Sequence, residues 1–170
     1  MTRFTLRAWD MRDLECLLKY ANNSRIANNL TNRYPQPYRE EDGLSFIQMA
    51  QKAKPLEIFA IAKHPDNEAI GSIGVHPQSD IYCKNAEIGY WLAEPFWGQG
   101  IATEALRQIC TYAFANFEVE RLFARPFGSN YASQRVLEKA GFVLEARLEA
   151  SLFKNGRYED ELIYARRRKH

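Results

Sequence analysis

Two segments of this chain carry residue types at spacings that can do chemistry. The first is Trp97-Gly98-Gln99-Gly100-Ile101-Ala102-Thr103, which follows the strand-like run Glu87-Ile88-Gly89-Tyr90-Trp91-Leu92 and opens a helix-like one. The first amides of a helix have no intrahelical acceptor and point the same way. They also sit at the positive end of the helix dipole, roughly half a charge. A diphosphate fits such a cradle without any particular side chain. Gly98 and Gly100 keep the loop free of Cβ atoms and Ala102 is small, so an anion can approach the backbone. A plain glycine turn between strand and helix has the same local sequence, so the pair by itself is weak evidence. A Walker loop is excluded because Ile101-Ala102 stands where Lys-Ser/Thr is required. A dinucleotide fingerprint is excluded because it needs three glycines at fixed spacing and a parallel βαβ unit. The second segment, Asn130-Tyr131-Ala132-Ser133 running on to Gly141-Phe142, comes about thirty residues later. Asn130 or Ser129 suits a helix N-cap, which puts the Ser133 hydroxyl in the first turn.

The rest of the composition narrows the class. The chain has 170 residues, 46% of them hydrophobic and 26% charged, with a net charge of +2. Those values fit one soluble domain over residues 1–170 and are too balanced to mark a nucleic-acid binder. The basic run Arg166-Arg167-Arg168-Lys169-His170 reads as a solvated, frayed tail. Three cysteines (Cys16, Cys83, Cys110) with no close pair fit a reducing compartment, with Cys16 and Cys110 as buried thiols. His64, His76 and His170 are isolated, and no Cys/His spacing resembles a metal site. No apolar run is long enough to span a membrane, and Met1-Thr2-Arg3-Phe4 starts a strand rather than a signal peptide. The expectation is a cytoplasmic protein.

Periodicity supplies the elements that position these residues. Strands are expected over 4–8, 56–63, 69–76, 86–93, 122–125, 143–153 and 158–166. Helices are expected from Asp10 through Ala21, over 40–52, 101–117 and 130–140, the last stopped by Gly141. Residues 27–38, rich in Asn and Pro, read as a loop with one short helical turn. Gly71 and Gly74 let neighbouring backbone come close. Asn155-Gly156 is a hairpin turn signal.

On the strand Glu87–Leu92, the loop Trp97–Ala105, the segment Asn130–Ser133 through Gly141-Phe142, and the loop Pro35-Gln36-Pro37-Tyr38, the sequence resembles the GNAT superfamily of acetyl-CoA-dependent N-acetyltransferases. More narrowly it resembles the branch of RimJ and RimL, ribosomal-protein N-terminal acetyltransferases. The resemblance implies an α/β (α+β) fold with a mixed, mostly antiparallel seven-stranded sheet. Its fourth and fifth strands splay apart, and about four helices flank it. It implies acetyl-CoA as cosubstrate and no metal. Backbone groups of Trp91, Leu92 and Ala93 would pair with the pantetheine arm. Amides of Gly98, Gln99, Gly100, Ile101, Ala102 and Thr103 would hold the diphosphate. Asn130 would bind the arm and Ser133 would approach the sulfur. Many superfamily members place a tyrosine acid seven residues after the Asn; Leu137 stands there, so the resemblance gives that role to Ser133. It puts a carboxylate at Glu87.

The implied reaction is attack of a neutral amine on a thioester. An alkyl ammonium has a pKa of roughly 10 and an α-amino group nearer 8, so a base must accept a proton. Glu87 is the candidate base; Glu104, early in its helix, suits the dipole instead. The departing thiolate, of pKa about 8.5, needs little proton help, so a hydroxyl such as Ser133 suffices. Tyr34, Tyr38 and the hairpin Lys154–Arg157 are expected on the acceptor side. The branch points to a protein N-terminal α-amine, such as that of a ribosomal protein, as acceptor. A small-molecule amine and a non-catalytic acyl-CoA sensor are the alternatives, and acidic residues around the pocket would favour a polycation. The chain is expected to be a monomer or homodimer.

Overall fold

A computed structural model describes residues 3–169. Alternating apolar residues give seven strands: β1 (Phe4–Arg7), β2 (Ile58–Lys63), β3 (Glu68–Pro77), β4 (Asn85–Leu92), β5 (Arg121–Ala124), β6 (Val143–Lys154) and β7 (Arg157–Arg167). They form one sheet in the order β1-β2-β3-β4-β5-β7-β6. All neighbours are antiparallel except β4 and β5, which are parallel. Five α-helices complete the fold: α1 (Leu14–Tyr20), α2 (Ser24–Ala27), α3 (Glu40–Ala50), α4 (Ile101–Asn116) and α5 (Tyr131–Lys139). The sequence reading gave about four. The additional one is the single turn α2, capped by the Asn23 side chain, which accepts from the Arg25 amide.

Successive residues of a strand face opposite sides, so the sheet has two cores. On one side Ile73, Ile88 and Leu92 pack against Leu106, Ile109 and Cys110 of α4 and Leu137 of α5. On the other, Ala60 and Ala69 pack with Trp9, Leu17, Tyr38 and Ile47 from the α1–α3 region, and Trp91 joins them. Leu106, Ile109 and Leu137 are fully buried. Burying each such side chain is worth about 1.5–3 kcal/mol, which fixes both helices to the sheet.

The feature that shapes function is the β4–β5 junction. The two strands pair only at Asn85–Arg121, Ala86–Leu122 and Glu87–Phe123. β4 then runs on to Leu92, whereas β5 stops at Ala124. The sheet opens from Gly89 onwards, as the resemblance implied.

The C-terminal basic run corrects the sequence reading. Arg166 and Arg167 belong to β7, and Arg168 donates to the carbonyls of Phe114 (2.8 Å), in the last turn of α4, and Val119 (3.0 Å), just beyond it. Cations are favourable at helix C-termini, so these residues are structure rather than a frayed tail. Met1, Thr2 and His170 lie outside the described residues. Cys110 is buried, Cys16 is half-buried and Cys83 is exposed, all as free thiols. Gly71 behaves as expected: a Cβ there would meet the Trp91 carbonyl oxygen at 2.5 Å. Gly74 does so as well, with the Glu57 carbonyl oxygen 3.3 Å from a Cβ built there, and the His76 ring lies closer still, at 2.9 Å. Asn155 and Gly156 have φ of 51° and 75°, as a tight two-residue hairpin requires.

Candidate active site

The opening between β4 and β5 leads into a cleft of about 990 Å³ that reaches both faces of the sheet. Its floor at one end is the glycine loop. Gly98 and Gly100 have φ of +73° and +79°, and a Cβ built on either meets nothing within 4 Å. Only glycine takes that conformation cheaply, and the space over it is open. Gly100 caps α4 with no side-chain hydrogen bond, and the Glu104 amide donates to the Gly100 carbonyl at 3.1 Å. The amides of Ile101, Ala102 and Thr103 therefore lie ahead of the helical ladder, at the end of the cleft that these residues line, the kind of place that suits an anion. The loop is held from the side: the Trp97 indole Nε1 donates to the Leu92 carbonyl at 2.7 Å, and Arg25 lies over the Trp97 ring. The Gln99 side chain turns back to the Pro95 carbonyl at 3.1 Å, leaving its backbone to the loop.

Along the open edge of β4 the backbone groups alternate in direction. The Ala93 amide donates to the Ile70 carbonyl at 2.8 Å and the Ala93 carbonyl accepts from the Phe96 amide at 3.0 Å. The Ala93 amide, and the backbone groups of Trp91 two residues before it, thus point toward β3. Leu92 and Tyr90 point theirs into the gap, with the Leu92 carbonyl shared with Trp97. Of the three residues expected to offer backbone there, Leu92 does; Tyr90, which sequence reasoning missed, is the other.

Tyr90 also reaches Ser133. Its hydroxyl lies 2.6 Å from Ser133 Oγ. Asn130 holds the same turn through its Oδ1, which accepts from the Ser133 amide at 3.2 Å, so its Nδ2 is left for a ligand. Burial pushes the Tyr90 hydroxyl up to about 12, against a smaller opposite effect of the Ser133 hydrogen bond. It stays protonated through the neutral range and can donate. The signal for it was available in the alternation Ile88, Tyr90, Leu92, which turns Tyr90 to the α4–α5 face.

Glu87 faces the opposite side of β4. Arg125 Nε donates to its Oε1 at 3.0 Å and Nη2 to its Oε2 at 3.2 Å, while Arg125 Nη1 lies 3.5 Å from Glu161 Oε1. The Glu87 hydrogen bond holds the Arg125 guanidinium above its usual range. Glu87 is thus an oriented carboxylate with one lone pair of each oxygen already engaged. The Tyr34 and Tyr38 rings meet at a tilt of 46° with centroids 5.5 Å apart, and Tyr34 meets Trp91 edge-on at 6.3 Å. Tyr34 also donates to the Ala21 carbonyl at 2.8 Å, and burial raises both phenols, Tyr38 to about 12. They line the cleft and pack its loop at once. The β6–β7 hairpin tip lies against the α2–α3 loop: Lys154 Nζ donates to Asn32 Oδ1 and Asn155 Nδ2 to Asn28 Oδ1, each at 3.0 Å.

A second groove, of about 800 Å³, lies between the C-terminal ends of α4 and α5 and the β6–β7 pair. Its arginines are engaged: Arg107 donates to the Lys139 carbonyl at 2.6 Å, Arg166 to the Ala140 carbonyl at 3.0 Å and Arg167 to the Glu145 carboxylate at 3.1 Å. Among the described residues no group of three His, Cys, Asp or Glu is placed to hold a metal ion, and no helix is long and apolar enough to cross a membrane.

Residues 3–143 match the acetyltransferase (GNAT) domain family. The chain is similar to the ribosomal-protein-serine acetyltransferase of Escherichia coli, 34% identical over 130 residues, 75% of this chain and 71% of that protein. It is similar to YdaF of Bacillus subtilis, provisionally named a ribosomal N-acetyltransferase, at 37% identity over 59% of this chain; the match spans only about half, 54%, of that protein. Its fold superposes on RimL, the ribosomal L7/L12 α-N-protein acetyltransferase solved with coenzyme A, with a TM-score of 0.83 and 25% identity over 98% of this chain and 95% of that one. With a splayed β4–β5 junction, a glycine cradle at its mouth and a family match over most of its length, the chain belongs to the GNAT family of acetyltransferases.

Proposed function

We propose that this enzyme transfers acetyl from acetyl-CoA directly to the α-amine of a protein N-terminus. The observation that carries the donor half is the continuity of the cleft. Unspent amides at the start of α4 suit the diphosphate, the open backbone of Tyr90 and Leu92 suits the amides of the pantetheine arm, and the Tyr90–Ser133 pair stands where that arm would end. Ser133 supplies a proton to the leaving thiolate, and Asn130 Nδ2 holds the arm. The Glu87 side of β4 receives the amine, so donor and acceptor approach the gap from opposite faces.

The acceptor half rests on the relatives' printed substrates and on charge. The carboxylates lining the cleft are Asp42 and Glu87, and Glu87 is paired with Arg125. Arg25, Arg33, Arg125, Arg135 and Lys139 line it as well. Arg135 and Lys139 belong to α5 on the donor face; on the other face Arg33 and Arg125 balance Asp42 and Glu87, which is not the acidic wall a polyamine would need. A protein N-terminus, whose amine is partly neutral at pH 7, suits it better.

Thiol release from acetyl-CoA tests the reading, using peptides with free N-terminal Ser, Ala and Met, the same peptides with blocked N-termini, and spermidine. Release with the free peptides alone is expected. Preference for spermidine would overturn the acceptor assignment. No release with any amine, beside tight coenzyme A binding, would leave only a sensor.

A further inference from the structure

The acceptor face holds a second candidate for proton transfer, one that sequence reading passed over as an isolated histidine. His76 on β3 stands directly opposite Glu87 on β4, and the next pair on the same face is Gly74 opposite Gly89. The His76 ring folds back over that glycine pair. A Cβ on Gly74 would come within 2.9 Å of His76 Nε2 and 3.2 Å of Cε1, and a Cβ on Gly89 within 4.0 Å of Nε2. Two facing glycines thus make a seat that any larger residue at 74 would fill. The seat lies beside the point where β4 loses β5, because the β4–β5 pairing ends at Glu87. Among the described residues the imidazole makes no hydrogen bond or ion pair, and it lines the cleft. Glu87, by contrast, has both oxygens engaged by Arg125.

The geometry points to His76 Nε2 as the catalytic base that takes the proton from the attacking amine, with Glu87, held by Arg125, as the neighbouring carboxylate on the same face of the sheet. This rests on the acetyl-transfer reading above. The amine arrives as an ammonium and loses one proton to the imidazole. Its lone pair then forms the C–N bond while the carbonyl π pair moves to oxygen. The imidazolium passes that proton to solvent and then takes the nitrogen's second one, the oxyanion collapses, and the C–S bond breaks. The thiolate takes one proton from the Ser133 hydroxyl, which regains one from solvent; of the two protons the nitrogen loses, one is thus returned and one is released. An imidazole nitrogen with a free lone pair is a common general base for such a step. The charged and titratable groups that line the cleft with it on this side are Glu87 on β4, Arg125 just after β5, Arg33, Tyr34 and Tyr38 between α2 and α3, and Asp42 in α3.

The test is thiol release with the best peptide of the panel, for wild type, His76→Ala and Gly74→Ala, over pH 5.5–9.5, with calorimetric coenzyme A affinity measured for each. For His76→Ala we expect kcat to fall about 100-fold, within the usual range for a lost general base. Coenzyme affinity should be unchanged, the acidic limb of the pH profile should move, and added imidazole should partly restore the rate. Gly74→Ala keeps the imidazole but fills its seat, and should lower kcat about tenfold at unchanged coenzyme affinity. A His76→Ala enzyme within threefold of wild type with the same pH profile overturns the assignment while leaving acetyl transfer intact. A wild type that releases no thiol with any amine overturns the acetyl-transfer reading, and this one with it.

Discussion

The two sides of the β4–β5 gap are built on different principles. The side proposed for the donor is backbone: two left-handed glycines, three amides at the start of α4 and the bare edge of β4. The side proposed for the acceptor is side chains from separate elements: Tyr34 and Tyr38 before α3, His76 on β3, Glu87 on β4, Arg125 after β5 and the hairpin tip at Lys154-Asn155. A binding surface made of main chain tolerates change in most side chains but not in its glycines. A surface made of side chains can be retuned one residue at a time. One frame can therefore keep its donor while changing its acceptor.

That contrast can be broken or sharpened by substitution. The largest effect is expected from the double change Gly98→Val and Gly100→Val. Non-glycine residues at positive φ cost roughly 1–2 kcal/mol each, and the new side chains would also cover the amides. Coenzyme A affinity by calorimetry should weaken by at least about 100-fold, with the acceptor KM little changed if the fold is kept. Glu87→Gln should reduce kcat about tenfold at unchanged coenzyme affinity; an acceptor-independent loss of coenzyme binding would mean the two sides are not separable. Ser133→Ala should lower kcat by about tenfold or less, because a thiolate of pKa about 8.5 leaves with little help. Since the Tyr90 hydroxyl is pushed up to about 12, the wild-type rate should show no loss from its ionisation up to pH 10. Asn130→Ala removes one ligand hydrogen bond of about 1 kcal/mol, or roughly fivefold in coenzyme affinity. Its loss of the α5 cap would also appear as a lower Tm. The smallest effect is expected at the roof. Lys154→Ala with Asn155→Ala should raise the acceptor KM about threefold and leave coenzyme binding alone.

The same contrast decides what was legible in the sequence. The donor side is local: Trp97 to Thr103 is one continuous stretch, and its glycines mark their own backbone conformation. The N-cap at Asn130, the stop at Gly141 and the turn at Asn155-Gly156 were readable for the same reason, since each is a short-range steric fact. The acceptor side depends on register, which a single sequence does not display. Nothing in the spacing of His76 and Glu87 shows that they face each other, or that Gly74 and Gly89 form one floor. Arg125 as the partner of Glu87 required knowing where β5 stops. Tyr90 was half-legible: alternation gives its face, but not the arrival of Ser133 there. The basic run at 166–169 was misread because charge density resembles a free tail. The carbonyls that Arg168 meets belong to residues about fifty positions earlier in the chain.

The opening between β4 and β5 amounts to an unfinished sheet. An interior strand normally has neighbours on both edges, yet β4 from Gly89 to Leu92 lacks one. An acyl donor whose arm carries amides would occupy that place as a temporary neighbour, completing the ladder while bound. Loading would then repair secondary structure and release would undo it. Hydrogen-exchange protection at Tyr90 and Leu92, and the melting temperature of the whole domain, should rise and fall with occupancy. The substrate is in this sense a removable piece of the fold.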